Sequence, residues 1–259
     1  MSDLTTAVLD GDLRASAIAR DQGSGAVPEL TRLLGNPDPW VRIVAVRSLG
    51  EIPQPPARAA LLLTAADADG MVAREAIGQL ERYPDQLEAV PLLAALGRAP
   101  DPTARRLLAL ALGRTPMSEE DLARFAALCQ GERVEEAKTG CLAALARTGN
   151  PDAQAAFGRR VDAARGRERV EIIRLLEYIG RRWVIDTLSG MLDDQDDAIF
   201  LNLEIAPDQP RFMRVCDLAA GAIIRMTRAQ VSFAAALPTR YSAAQLDEVR
   251  RIAPSLLRE

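Results

Sequence analysis

The chain has 259 residues, 48% hydrophobic, 26% charged and 4% aromatic, with 32 Lys and Arg against 36 Asp and Glu and no histidine. Such an apolar chain has material for a packed core and is not a disordered polymer, while its net charge of −4 lacks the basic excess of a protein that lives on nucleic-acid phosphates. Without histidine the commonest general base and the commonest nitrogen ligand for zinc are missing, and with them most Ser-His and Cys-His catalytic schemes.

From the N-terminus, the segment MSDLTTAVLDGDLR carries acidic residues instead of a basic stretch followed by an apolar one, and no apolar run approaches the ~18 residues of a spanning helix. The expectation is a cytoplasmic protein with no membrane contact. Its 45 Ala and 34 Leu are a helix-former's composition. Helix pairs are expected near 3–20, 26–50, 55–82, 86–114, 118–147, 151–180 and 181–228, with a terminal helix after them. Residues 1–25 read as N-terminal capping helices and 26–228 as the array they cap. In the first helix of 26–50, Val27, Leu30, Leu33 and Leu34 recur at helical spacing. Asp38, Asp69 and Asp101 are placed to cap second helices, and Pro39 and Pro102 suit the first turn, where a missing N–H has no partner to lose. Those second helices bury Val41, Ala45, Leu49 and their equivalents, and glycine C-caps are expected near Gly50, Gly113 and Gly180. Ser118 with Asp121, and Ser242 with Gln245, mark further helix starts. Residues 193–211 read as an irregular insertion, about ten residues too long for the period, and the second half of Ile199 to Ile205 alternates apolar with polar as a short extended segment does. In 229–259, Leu246, Val249, Ile252 and Leu256 form an apolar stripe expected to cover the open end of the array.

The same landmarks return at a fixed period. Leu49, Leu80, Leu112, Leu145 and Ile179 are spaced by 31, 32, 33 and 34 residues, and AVPELTRLLGNPDP from Ala26 matches AVPLLAALGRAPDP from Ala89 two periods later. The pattern D-x-x-V-R-x-x-A-x-x-S-L-G from Asp38 to Gly50 resembles the HEAT repeat in its short bacterial form, similar to the repeats of phycobilin lyases. The resemblance is good from Ala26 to Gly149 and weaker to Thr227, with Ala137-Lys138 and Glu171-Ile172 standing where Val-Arg would. It implies an all-α solenoid of about six to seven stacked helix pairs, in a single domain over 1–259 with a C-terminal capping helix, and a fold used most often as a binding scaffold.

Three features are candidates for partner binding. Arg82, Arg114, Arg147 and Arg181 fall two residues beyond the repeating apolar positions, with Glu51 in the first unit, so they form either a positive stripe or a set of cations set against helix C-termini. Asp193, Asp194, Asp196 and Asp197 resemble a calcium loop in composition only, lacking the glycine and the terminal glutamate at the required spacing. They are expected to be solvated or paired with Arg181 and Arg182. Trp40 lies in a turn between helices and Trp183 follows Arg181-Arg182; each suits packing between repeats, or a binding hot spot at Trp40 and a stacking site for a planar or anionic ligand at Trp183. Within repeats, Asp38 with Arg42 and Asp101 with Arg105 read as i,i+4 ion pairs. Cys129, Cys141 and Cys216 form no C-x-x-C and read as reduced, partly buried thiols. No phosphate loop, nucleophile elbow or metalloprotease motif is present. The expectation is a non-enzymatic scaffold or adaptor without cofactor or metal, holding another protein on its concave helix face or at the 193–211 insertion, with pairing of two copies left open. The alternatives are a HEAT-fold enzyme, either a bilin lyase or isomerase or an alkylpurine DNA glycosylase, and a nucleic-acid-binding module, which the charge disfavours.

Overall fold

A computed structural model of the chain describes residues 2–200, 212–235 and 239–253. The chain divides into two compact units, Met1–Thr148 and Gly149–Glu259.

Among the described residues, the first unit is built of ten α-helices in five hairpins: α1 (Asp3–Leu9) with α2 (Arg14–Gln22), α3 (Val27–Leu33) with α4 (Pro39–Gly50), α5 (Pro55–Thr64) with α6 (Gly70–Leu80), α7 (Ala89–Arg98) with α8 (Pro102–Leu112), and α9 (Glu119–Gln130) with α10 (Glu135–Thr148). The odd-numbered helices pack successively on one another in one layer and the even-numbered helices in a second, so each hairpin meets its neighbours through both arms. The period of the sequence is the step of this stack. Leu49, Leu80 and Leu112 are fully enclosed, and Val41, Val72, Ala104 and Ala137 line the next buried column. Each enclosed leucine contributes about 1.5–3 kcal/mol by leaving water.

The caps fall where the sequence places them. Asp38 accepts from the Trp40 amide at 2.9 Å, Asp69 from Met71 at 2.8 Å and Asp101 from Ala104 at 2.8 Å. The fifth hairpin lacks that aspartate. There Glu132 takes the amides of Arg133 and Val134, each at 2.9 Å, and α10 starts just after them. The helices end at the expected glycines: Gly50 is the last residue of α4, Gly113 is the C-cap of α8 in right-handed geometry, and Gly180 is the C-cap of α12, left-handed at φ 61°. A Cβ at Gly50 would also overlap the Gln79 side chain of the next even helix.

The second unit contains α11 (Pro151–Ala163), α12 (Arg167–Ile179), α13 (Arg182–Gly190), α14 (Val215–Thr227) and α15 (Ala243–Ile252), with strands β1 (Asp197–Phe200) and β2 (Phe212–Arg214) between α13 and α14. Helix α14 is its core: Val215 through Ile224 are buried beneath α12, α13 and α15. The strands pair antiparallel, with Asp197 opposite Arg214 and Phe200 opposite Phe212. The extended segment expected within 199–205 therefore starts earlier, at Asp197, and residues 201–211 lie outside the described residues. The terminal helix starts as expected: Ser242 and Gln245 cap each other's amides at 3.3 and 2.8 Å, and Leu246 and Val249 are buried. Leu256 is outside the described residues. No helix among the described residues is long and apolar enough to cross a membrane.

Candidate partner-binding site

Most ion pairs of the first unit run between successive hairpins. Arg42 reaches Asp67 in the next inter-helix turn at 2.9 Å while donating to the Asn36 and Pro37 carbonyls of its own turn, at 2.9 and 3.3 Å. Arg105 repeats the arrangement with Glu132 at 2.6 Å and the Ala99 and Pro100 carbonyls, and Arg74 pairs with Asp101 at 3.1 Å. The expected i,i+4 pairs are thus replaced. Asp38 and Asp101 spend a carboxylate oxygen on a helix N-terminus, which leaves Arg42 and Arg105 to span the gap to the next hairpin. The Arg105 guanidinium holds the Glu132 carboxyl below the usual glutamate range.

The arginine column proves to be charge-compensated where its partners are described. Arg82 meets Glu51 at 2.7 Å and donates to the Gly50 carbonyl at the end of α4, at 3.2 Å. Arg20 binds the same Glu51 from the other side, and Arg114 pairs with Glu81 at 3.3 Å. Arg82 so combines an ion pair with the helix-end contact anticipated for these cations. Arg147 is partly exposed near the end of α10. In the second unit Arg181 and Arg182 are exposed at the start of α13, and the Arg181 guanidinium lies against Gly149, whose φ of 99° suits a residue without a side chain. Trp183 follows, partly buried, with its indole Nε1 enclosed and without a hydrogen-bond partner among the described residues.

The acidic cluster is tied to cations other than those expected. Asp193 pairs with Arg250 of α15 at 2.6 Å, Asp194 pairs with Arg169 of α12, and Asp196 lies 3.9 Å from the same guanidinium. Asp197 begins β1. The carbonyls of Asp194 and Asp196 accept the amides of Cys216 and Val215 at 2.9 and 3.0 Å, so the cluster anchors the start of α14. Arg169, Asp194, Asp162, Arg165 and Asp186 line a polar cleft of about 440 Å³ in this unit.

Trp40 differs from the other candidates. It is 52% exposed on the first turn of α4, with its indole edge against Gly11 and the Arg47 guanidinium 5.7 Å from its ring centroid. Arg47 also bridges to Glu75 on α6 at 3.1 Å, which fixes the cation over the ring. Met71, one repeat on at the equivalent position of α6, is 60% exposed. Leu13, at the start of α2, is 91% exposed, and sequence reasoning missed it; its signal is an apolar residue in the otherwise polar turn Asp10-Gly11-Asp12 before α2. A second cleft, of about 460 Å³, opens between the fourth and fifth hairpins and is lined by Leu96, Leu128, Val134, Arg105, Glu132 and Cys141 among others. Cys141 on α10 forms part of its wall, and Cys129 on α9 is a second free, buried thiol whose proton is held tighter than usual by the neighbouring Cys141 and by burial.

No curated protein matches the chain. A solved structure of human deoxyhypusine hydroxylase in complex with glycerol is similar at 17% identity and a TM-score of 0.36, over 98% of this chain and 94% of that one. Residues 14–70, which run from α2 to the first residue of α6, match the HEAT repeats family. This segment is therefore built of HEAT repeats, and the two-layer stack of helix pairs continues from it to α10 in the first unit.

Proposed function

We propose that this chain is a non-enzymatic scaffold, and that a partner protein docks on the even-helix face of its first unit around Trp40 and Met71. The observation that carries this reading is Trp40 itself. A large amphipathic ring is held half out of the protein by Gly11 beneath it and Arg47 across it, instead of being folded into the core. A rigid aromatic of this kind contributes strongly to protein interfaces, because little side-chain entropy is lost when it is covered. Met71 extends the apolar surface by one repeat, and methionine adapts its shape to what it meets. The charges on the same layer are largely paired with one another, as in Glu51 with Arg82 and Glu81 with Arg114, which favours a partner that reads shape and apolar area over a polyanion.

The test is affinity capture from native lysate with the full chain and with Trp40→Ala, Met71→Ser and Arg114→Ala variants. A protein recovered by the wild type, lost with Trp40→Ala or Met71→Ser and retained with Arg114→Ala supports the reading. Recovery unchanged by Trp40→Ala removes this face as the contact. A DNA mobility shift that persists at ~150 mM salt and weakens steeply above it would replace the protein partner with nucleic acid.

A further inference from the structure

We propose that the segment of the partner covering Trp40 and Met71 is cationic as well as apolar, carrying Lys or Arg between bulky apolar side chains, and that it lies along the edge made by the turns inside the first three hairpins. This rests on Trp40 and Met71 being the contact, and it adds the chemistry of what covers them. Helices α2, α4 and α6 pack side by side, so the residues that open them fall in a row. Three of these are large and exposed: Leu13, the N-cap of α2, then Trp40 and Met71 on the first turns of α4 and α6. The row is continuous. The Trp40 indole lies against Gly11 in the turn before it, and Arg42 reaches forward to Asp67 at 2.9 Å in the turn after it. Helices in contact stand about 8–10 Å apart, so the row from Leu13 to Met71 runs for about 16–20 Å, a length that roughly six residues of extended chain cover.

The uncompensated charge along this edge has one sign. Asp10, Asp38 and Asp69 stand in the same three turns, beside Leu13, Trp40 and Met71, and none of them has an ion pair among the described residues. Asp38 and Asp69 accept the amides of Trp40 and Met71, and a capping carboxylate keeps its negative charge while it does so. The cations at the starts of the same helices are engaged with other carboxylates: Arg14 with Asp12, Arg42 with Asp67 and Arg74 with Asp101. Arg47, which lies over the Trp40 ring, is paired with Glu75. Three unpaired carboxylates therefore alternate with three exposed apolar side chains. A Lys or Arg docked among them gains twice, since its head meets a carboxylate while its aliphatic stem covers Trp40 or Met71. A phosphate-bearing partner is repelled by the same groups.

The experiment selects binders to the full chain from a display library of random short peptides, then measures the enriched peptide, fluorescently labelled, by polarisation. Enriched sequences are expected to combine a net positive charge with bulky apolar residues. Trp40→Ala is expected to weaken the enriched peptide about tenfold or more. Asp38→Asn and Asp69→Asn together are expected to weaken it about five- to tenfold, as is raising the salt from ~50 to ~300 mM. Asparagine caps a helix as well as aspartate does, so the double variant removes charge and keeps both helix starts. Asp162→Asn, at an exposed carboxylate of the second unit, is expected to change nothing, which separates docking from general attraction to an acidic chain. Binding that falls with Trp40→Ala but ignores both the asparagines and the salt overturns the cationic partner and leaves Trp40 as the contact. Binding that ignores Trp40→Ala overturns both. Enrichment of neutral or acidic sequences, or of none, overturns the proposal, as does a dimer in sedimentation that Trp40→Ala dissociates, because a second copy of the chain then covers the edge.

Discussion

Arg42 pairs with Asp67 at 2.9 Å, 25 residues ahead in the chain, and not with Asp38 four residues behind it. The same guanidinium holds two carbonyls of its own turn, so one side chain fastens two successive hairpins at their turns. Arg42→Ala removes that clamp and leaves Asp67, 14% exposed, without its cation. The expected loss is about 2 kcal/mol, read as a lower urea midpoint. Arg14→Ala, which removes a solvent-exposed pair with Asp12, is expected to leave the midpoint unchanged.

The pH dependence follows from the same rows of charge. Arg82 and Arg20 hold the Glu51 carboxyl low, as Arg105 does for Glu132. A carboxyl whose folded value lies below its unfolded value contributes stability that is complete above the ordinary glutamate value of about 4.3 and is lost as pH falls through the folded value. With no histidine in the chain, stability is expected to be flat from about pH 8 to 6 and to decline only below about pH 4.5. In Arg105→Ala the neutral-pH stability is lower and the acid slope shallower, because the largest influence holding the Glu132 carboxyl low is then gone. Urea midpoints at a series of pH values measure both.

Two helical glycines are expected to respond to alanine with opposite sign. At Gly140 on α10 a Cβ would lie 2.7 Å from Arg106 Cγ and 3.1 Å from that residue's Cα and carbonyl oxygen on α8, so the even helices would have to move apart. Overpacking of this kind costs about 1–3 kcal/mol, against about 1 kcal/mol gained from helix propensity, and Gly140→Ala is expected to melt lower. At Gly78 on α6 a Cβ meets nothing within 4 Å, so Gly78→Ala is expected to gain about 0.5–1 kcal/mol and melt higher. Calorimetric melting of both variants reads the two signs.

What was legible in the sequence follows the range of the interaction. Asp38, Asp69 and Asp101 announce their roles because a cap acts over two or three residues, and Leu49, Leu80 and Leu112 announce theirs because burial recurs with each hairpin. The partners of Arg42, Arg82 and Asp194 were not legible. They depend on how far one hairpin is displaced from the next, and no local pattern carries that distance. The candidate site divides in the same way. Trp40 could be named from its place in the repeat, whereas its exposure depends on Gly11, which belongs to a different hairpin.

Asp217 offers the sharpest test of the second unit. Its carboxylate is fully enclosed on the first turn of α14. It accepts the Arg214 amide at 2.9 Å, the Arg214 guanidinium at 2.7 and 3.0 Å, and the Tyr241 amide at 2.9 Å. The last of these bonds joins α14 to the chain entering α15. Asp217→Asn keeps the shape but replaces one acceptor oxygen with a donor that faces N–H groups, and it leaves the Arg214 guanidinium, 12% exposed, without its counter-charge. Removing one member of such a pair costs about 3 kcal/mol. The loss is expected to be local first: faster hydrogen exchange at the Tyr241 amide and through α15, with the amides of α4 and α6 unchanged, because Arg214 and Tyr241, which Asp217 holds, both belong to the second unit. Exchange that accelerates equally in both units would show that Asp217 supports the whole chain and does not act as the latch of its terminal helix.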